Sequence, residues 1–208
     1  MFYFIKTPGW LEQLYKECTW SIPVNDKTIY LSFDDGPHPE ITPFVLDELK
    51  KYNAKASFFC IGKNVQAYPE VYKRIIEEGH SVGNHSFSHL NGWNTDDAIY
   101  LDDIVAAKEY IHSNLYRPPY GRIKRSQLKQ LAAPVLELKT IMWTVLSGDF
   151  DTGISPEKCL QNVLTRTEPG AIIVFHDSEK AAERMRYALK GTLEYFSKKG
   201  YFFERIIK

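Results

Sequence analysis

Asp34 and Asp35 stand side by side at the end of Thr28-Ile29-Tyr30-Leu31-Ser32-Phe33, immediately before Gly36-Pro37. Two carboxylates at the end of a buried strand repel each other unless a cation or a proton lies between them. Side chains alternate along a strand, so the pair cannot serve one ligand in the same way. One acid suits a cation and the other stays free for proton transfer; the pair alone does not say which. In Gly83-Asn84-His85-Ser86-Phe87-Ser88-His89, two imidazoles four residues apart can share one face of a helical turn and bind one metal. With one of the two carboxylates they form a set of two histidines and one acid that leaves positions open for water and substrate. His80 reads as a core residue, while His38, between two prolines, and His112, in a helix, are poor ligands.

Three further stretches carry chemistry. In Arg117-Pro118-Pro119-Tyr120-Gly121 the prolines force an extended backbone with few donors. The free amide of Tyr120 suits an oxyanion, and Arg117 could orient a carboxylate. Read in isolation, this is a rigid loop with a surface arginine. Asp149 lies near a strand end beside Phe150, and His176 directly follows the buried run Ile172-Ile173-Val174-Phe175. A carboxylate bonded to one ring nitrogen of a histidine stabilises imidazolium and leaves the other nitrogen to give a proton.

Alternating strands and helices must position these groups. After the Asp-Asp strand, strands are expected at 55–61, 80–83, 139–145, 170–175 and 201–207. Helices are expected near 69–78, 96–113, 126–133 and 179–199, the second with Ile99, Ile104 and Ala107 on one side. Thr7-Pro8, Thr42-Pro43 and Ser155-Pro156 read as capped helix starts. Such alternation favours a parallel sheet with helices outside, and in a β/α barrel the strand ends converge on one active face.

The chain is expected to be one domain over residues 1–208, with 1–27 a helical extension. Lysine plus arginine and aspartate plus glutamate balance at 26 each, so net charge implies no nucleic-acid face. No run is long enough to span a bilayer. The apolar opening Met1-Phe2-Tyr3-Phe4-Ile5-Lys6 is too short for a signal-peptide core, so the sequence as written is expected to be cytoplasmic, or extracytoplasmic if trimmed. Cys18, Cys60 and Cys159 are odd in number and widely spaced, which argues against a disulfide framework or a thiolate zinc site.

Taken in order, these stretches resemble the metal-dependent polysaccharide deacetylases that share the NodB homology domain, the carbohydrate esterase family 4. Ser32-Phe33-Asp34-Asp35-Gly36-Pro37 is similar to the family's TFDDGP, His85 to His89 to its H[ST]xxH, and Arg117 to Gly121 to its RPPYG. The resemblance implies a distorted β/α barrel of about seven parallel strands with outer helices. It implies one divalent cation, zinc in the first place with cobalt or another as alternatives, held by Asp35, His85 and His89. Asp34 would be the base, oriented by Arg117, and the Tyr120 amide would face the oxyanion. His176 would be the general acid, tuned by Asp149, with Tyr120, Phe150 and Val174 lining the substrate. The expected reaction is hydrolytic removal of acetyl groups from an acetylated sugar or oligosaccharide, foremost the N-acetyl of an N-acetylglucosamine unit. An O-acetyl sugar esterase and a non-catalytic sugar-binding protein are the rivals. Two departures stand out. Leu146 and Phe150 replace the Asp and Trp of the DxxDW found in many members, and Val174 stands where leucine is frequent.

Overall fold

The computed structural model describes residues 3–207, so Met1 and Phe2 of the apolar opening lie outside the described residues. Its centre is a curled parallel sheet. Strand β1 (Thr28–Asp34) lies between β2 (Ala56–Cys60) and β7 (Ile172–His176). Beyond β2 follow β3 (Ser81–Asn84), β4 (Leu115–Tyr116) and β5 (Lys139–Thr140), and beyond β7 lies β6 (Val145–Leu146). Short β8 (Phe202–Phe203) pairs with the start of β1, so seven parallel strands form the main path.

The long runs of β1, β2 and β7 are buried on both faces, as parallel strands under helices must be. Alternation then divides their residues. Ile29, Leu31, Phe33, Phe58, Ile173 and Phe175 join one large apolar core with the helices. Within it the rings of Phe58, Phe33 and Phe175 stack across three strands at 5.1 and 5.9 Å. The opposite face carries Tyr30, Ser32, Asp34, Phe59, Val174 and His176, placed level by the registers Ser32↔Val174, Asp34↔Phe59 and Asp34↔His176. The residues that could do chemistry therefore lie on the inner face at the strands' C-terminal ends.

The helices pack outside. They are α1 (Gly9–Leu14), α2 (Ile41–Lys51), α3 (Gly62–Ala67), α4 (Pro69–Glu77), α5 (Asp97–Lys108), α6 (Arg125–Leu131), α7 (Pro156–Arg166) and α8 (Ala182–Lys198). The expected cap holds at α7, where the Ser155 hydroxyl accepts from the Lys158 amide. It fails at both Thr-Pro sites, because their hydroxyls are taken by distant partners. Thr7 donates to the Trp143 carbonyl, and Thr42, inside α2, donates to Asp177. Ile104 and Ala107 of α5 are buried, but Ile99 is 59% exposed one turn earlier.

The continuous strand expected over 139–145 is broken. β5 pairs with β4 and β6 with β7, at opposite ends of the curled sheet. Residues 5–21 stitch this seam. Thr19 bridges Ile141, Lys6 bridges Val145 antiparallel, and the Leu146 amide donates to the Ile5 carbonyl at 2.8 Å. The strand expected over 201–207 shrinks to the two residues of β8, and the two-residue β4 has no run of its own to announce it.

Candidate active site

Arg117 is not a surface residue: it is fully buried inside the curled sheet. Its guanidinium lies 3.9 Å from the Phe59 ring centre and donates to Ser32 Oγ (2.8 Å), Asp34 Oδ1 (2.7 Å) and the carbonyls of Ile141 and Met142 (both 3.1 Å). The last two acceptors belong to the broken seam. A regular strand would have committed those carbonyls to a neighbour, so the break lets the barrel hold a cation without an unpaired donor. Asp34, almost fully buried, thus has one oxygen fixed by a charged hydrogen bond.

Asp35 turns the other way. Its backbone sits at φ 83°, and its carboxylate faces the two histidines. Asp35 Oδ1 is 3.2 Å from His89 Nε2 and 3.7 Å from His85 Nε2, and the three ligand atoms lie within 4.8 Å of one another. The backbone carbonyl of Arg117 can only accept, so His85 Nδ1, 2.8 Å from it, is the donor and Nε2 presents a lone pair. Burial pulls the His85 pKa down to about 4, against the opposing charge of Asp34, and keeps the ring neutral. Burial pushes the Asp35 carboxyl up, but the neighbouring His89, with His176 and His85, outweighs it and holds the carboxyl well below its usual range.

Asp35 Oδ1 is nonetheless a buried oxygen with no hydrogen-bond donor among the described residues. An orphaned buried carboxylate oxygen facing two imidazole nitrogens fits a cation. The donor set, two imidazole nitrogens and a carboxylate oxygen, suits a first-row divalent cation.

Opposite this cluster, Asp149 grips His176 twice: Oδ1 accepts from ring Nδ1 and Oδ2 from the backbone amide, both at 2.7 Å. Burial disfavours the imidazolium, but Asp149 outweighs burial and, with Asp35 and Asp34, raises the His176 pKa to about 10. Phe150 meets the His176 ring edge-on at 5.3 Å. Tyr120 is 59% exposed, lies 4.5 Å from His89 ring to ring, and its amide finds no acceptor among the described residues. Val174 is fully buried beneath His176 on the same face of β7.

A cleft of about 280 Å³ opens over Asp35 and His89, bounded by His38, Ile61, Asn64, Asp177 and Ser178. Two of these are support that the spacing of motifs did not reveal. Asn64 donates to the Asp35 carbonyl at 2.7 Å, and Asp177 accepts from the Gly36 amide at 3.0 Å. His38 borders the cleft, but its Nδ1 faces the amides of Glu40 and Ile41. His80 is a core residue as expected: its Nδ1 accepts from the Ala56 amide.

Among the six described non-glycine residues with positive φ, four are Asp35, Ser86, His89 and Tyr120. Left-handed backbone costs an L-residue roughly 1–2 kcal/mol, and its concentration here marks a surface shaped for something other than stability.

The family model described as polysaccharide deacetylase matches residues 21–135. Two proteins of Bacillus cereus, each named peptidoglycan-N-acetylglucosamine deacetylase, are 36% and 35% identical to this chain over 176 and 191 residues. These alignments cover 82% and 89% of the chain and span 62% and 89% of the relatives' own lengths. A crystal structure of a peptidoglycan N-acetylglucosamine deacetylase in complex with 4-naphthalen-1-yl-N-oxidanyl-benzamide superposes with a TM-score of 0.86. It is 34% identical, and the match covers 96% of this chain and 95% of that one.

Proposed function

This chain belongs to the polysaccharide deacetylase family, and from that premise we propose that it hydrolyses the N-acetyl group of an N-acetylglucosamine-containing oligosaccharide or glycan. The carrying observation is the convergence of Asp35, His85 and His89 beside a fixed Asp34, with the Asp149–His176 pair across from them. Asp35, His85 and His89 would hold one divalent cation, zinc in the first place with cobalt or another as alternatives, which when bound polarises the acetyl carbonyl and lowers the pKa of water.

The remaining work falls to the chain's own groups. Asp34, oriented by Arg117, takes a proton from the attacking water as its oxygen closes on the carbonyl carbon. The Tyr120 amide, held in a left-handed turn between prolines and Gly121, points a donor at the oxygen where negative charge develops. His176 has Nδ1 committed to Asp149, so Nε2 gives its proton to the nitrogen as the carbon–nitrogen bond breaks. Acetate and a free amine leave, with one proton taken by Asp34 and one given by His176.

Acetate release from N-acetylated chitooligosaccharides and peptidoglycan fragments, with product mass and free amine measured together, tests the reading. Acetate with stoichiometric amine supports it. Acetate from O-acetyl sugars alone makes the chain an esterase, and binding without acetate makes it a sugar-binding protein.

A further inference from the structure

The turn that carries Asp149 and Phe150 is held from two directions. On the helix side, Arg184 Nε donates to the Asp149 carbonyl at 2.7 Å. On the other side residues 3–7 run along the seam. The Leu146 amide donates to the Ile5 carbonyl (2.8 Å) and the Thr7 amide to the Thr144 carbonyl (2.9 Å). That register delivers Tyr3 to the turn. Its hydroxyl donates to Asp151 Oδ2 at 2.7 Å, while Asp151 Oδ1 accepts from the Gly153 amide. The approach is close: a Cβ on Gly148, at φ 82°, would sit 3.2 Å from the Tyr3 hydroxyl.

The Tyr3 ring meets Phe150 edge-on at 5.1 Å, and Phe150 meets the His176 ring at 5.3 Å. Asp149 fixes both Nδ1 and the backbone amide of His176, so the orientation of the imidazole follows the turn that carries Asp149 and Phe150. Phe150, half-buried, thus has an edge-on ring contact with His176 and another with Tyr3.

We propose that Tyr3 is a positioning residue for the proton donor: through Phe150 and Asp151 it holds the His176 imidazole at the angle that aims Nε2 at the leaving nitrogen. The inference rests on the reading of His176 as general acid. It gives residues 3–7 a part in the chemistry beyond closing the sheet. It also supplies a bracing contact to a turn whose flanking positions, Leu146 and Phe150, depart from the DxxDW pattern.

The test compares Tyr3→Ala and Tyr3→Phe with the wild type, on a chitooligosaccharide and on phenyl acetate, whose leaving group needs no proton. Tyr3→Ala is expected to lower kcat on the amide about tenfold, below the roughly hundredfold cost of a full 1 Å misplacement. KM and ester hydrolysis should stay within about twofold. Tyr3→Phe, which keeps the ring, should fall between. A second readout does not need turnover: the ¹⁵N signals of the His176 ring, followed by NMR against pH. The charges facing that ring are Asp149, Asp35 and Asp34. Loosening the Asp149 contact in Tyr3→Ala should bring the midpoint down, with bound metal unchanged. Equal losses on amide and ester, or an unmoved His176 midpoint, would overturn the positioning role. A moved midpoint in a chain whose wild type releases no acetate would keep the Tyr3 brace and discard the deacetylase reading instead.

Discussion

On the β1–β3 side of the cleft, each reactive group is fixed by something deep in the barrel. Asp34 is tied to an arginine that itself has three other acceptors, His85 to a backbone carbonyl, and Asp35 to a turn pinned by Asn64 and Asp177. On the β6–β7 side, Asp149 and His176 hold each other, and the turn around them is braced by two segments far away in sequence, Tyr3 and Arg184. The first arrangement is anchored inside the sheet, where buried Arg117 and Asp34 pair with each other. The second takes its position from a turn, and any shift of that turn carries Asp149, the partner of His176, with it. The proposed base and cation site thus take their position from the interior of the sheet, and the proposed acid takes its position from that turn.

The sharpest way to break that contrast is to remove a cation ligand. His89→Ala should lose most of its bound divalent metal and essentially all deacetylation, as read by metal analysis and acetate release. Exhaustive chelation of the wild type should do the same, and full activity after chelation would end the assignment of this side. Next in size is Asp34→Asn. If Asp34 is base rather than ligand, turnover should fall by roughly 10²–10⁴-fold while metal stays bound, whereas Asp35→Asn should weaken the metal itself. Loss of metal in Asp34→Asn would exchange the two roles.

The acid side should give smaller and more selective losses. His176→Ala should harm an N-acetyl sugar far more than phenyl acetate, because only the amine must be protonated as it leaves. Asp149 raises the His176 pKa to about 10, so the imidazole stays charged until pH climbs toward that value. Asp149→Asn should therefore move the alkaline limb of the pH–rate profile to lower pH. An unmoved limb would assign it to another group.

The same contrast explains what could be read from the sequence. The motif residues and the strands β1, β2 and β7 were legible because long apolar runs ending in polar groups need no neighbour to be recognised. The burial of Arg117 was not, since its acceptors Ile141 and Met142 come free only where the expected 139–145 strand breaks. That break is dictated by pairing with β4, β7 and residues 5–21, none of it local. Thr7 and Thr42 misled for the same reason: each has the composition of a cap, but a distant acceptor took its hydroxyl. The support from Asn64 and Asp177 left no periodic trace.

The smallest effect on catalysis belongs to a histidine outside the site, and it sets the scale for the others. His80 packs edge-on against Phe58 at 5.5 Å and accepts the Ala56 amide on Nδ1. Burial pulls its pKa down to about 4, helped by Lys55 and Arg205 and opposed by Glu78, whereas Asp149 drives His176 the opposite way. Between pH 6.5 and about 4 the unfolded chain takes up a proton at this residue that the folded chain refuses. Its contribution to stability is thus intact above pH 6.5 and is lost as pH falls through 4. The loss is on the order of 1–3 kcal/mol, from about 1.4 kcal/mol per pKa unit and some solvent access. His80→Asn keeps an acceptor near the Nδ1 position and cannot be charged. Thermal unfolding from pH 8 to 4 should show a flatter acid slope for this variant, with lower stability at pH 8 from the lost ring contact and kcat within about twofold of wild type. An unchanged acid slope would mean that His80 does not resist protonation, and that burial alone does not decide the charge of a histidine in this fold.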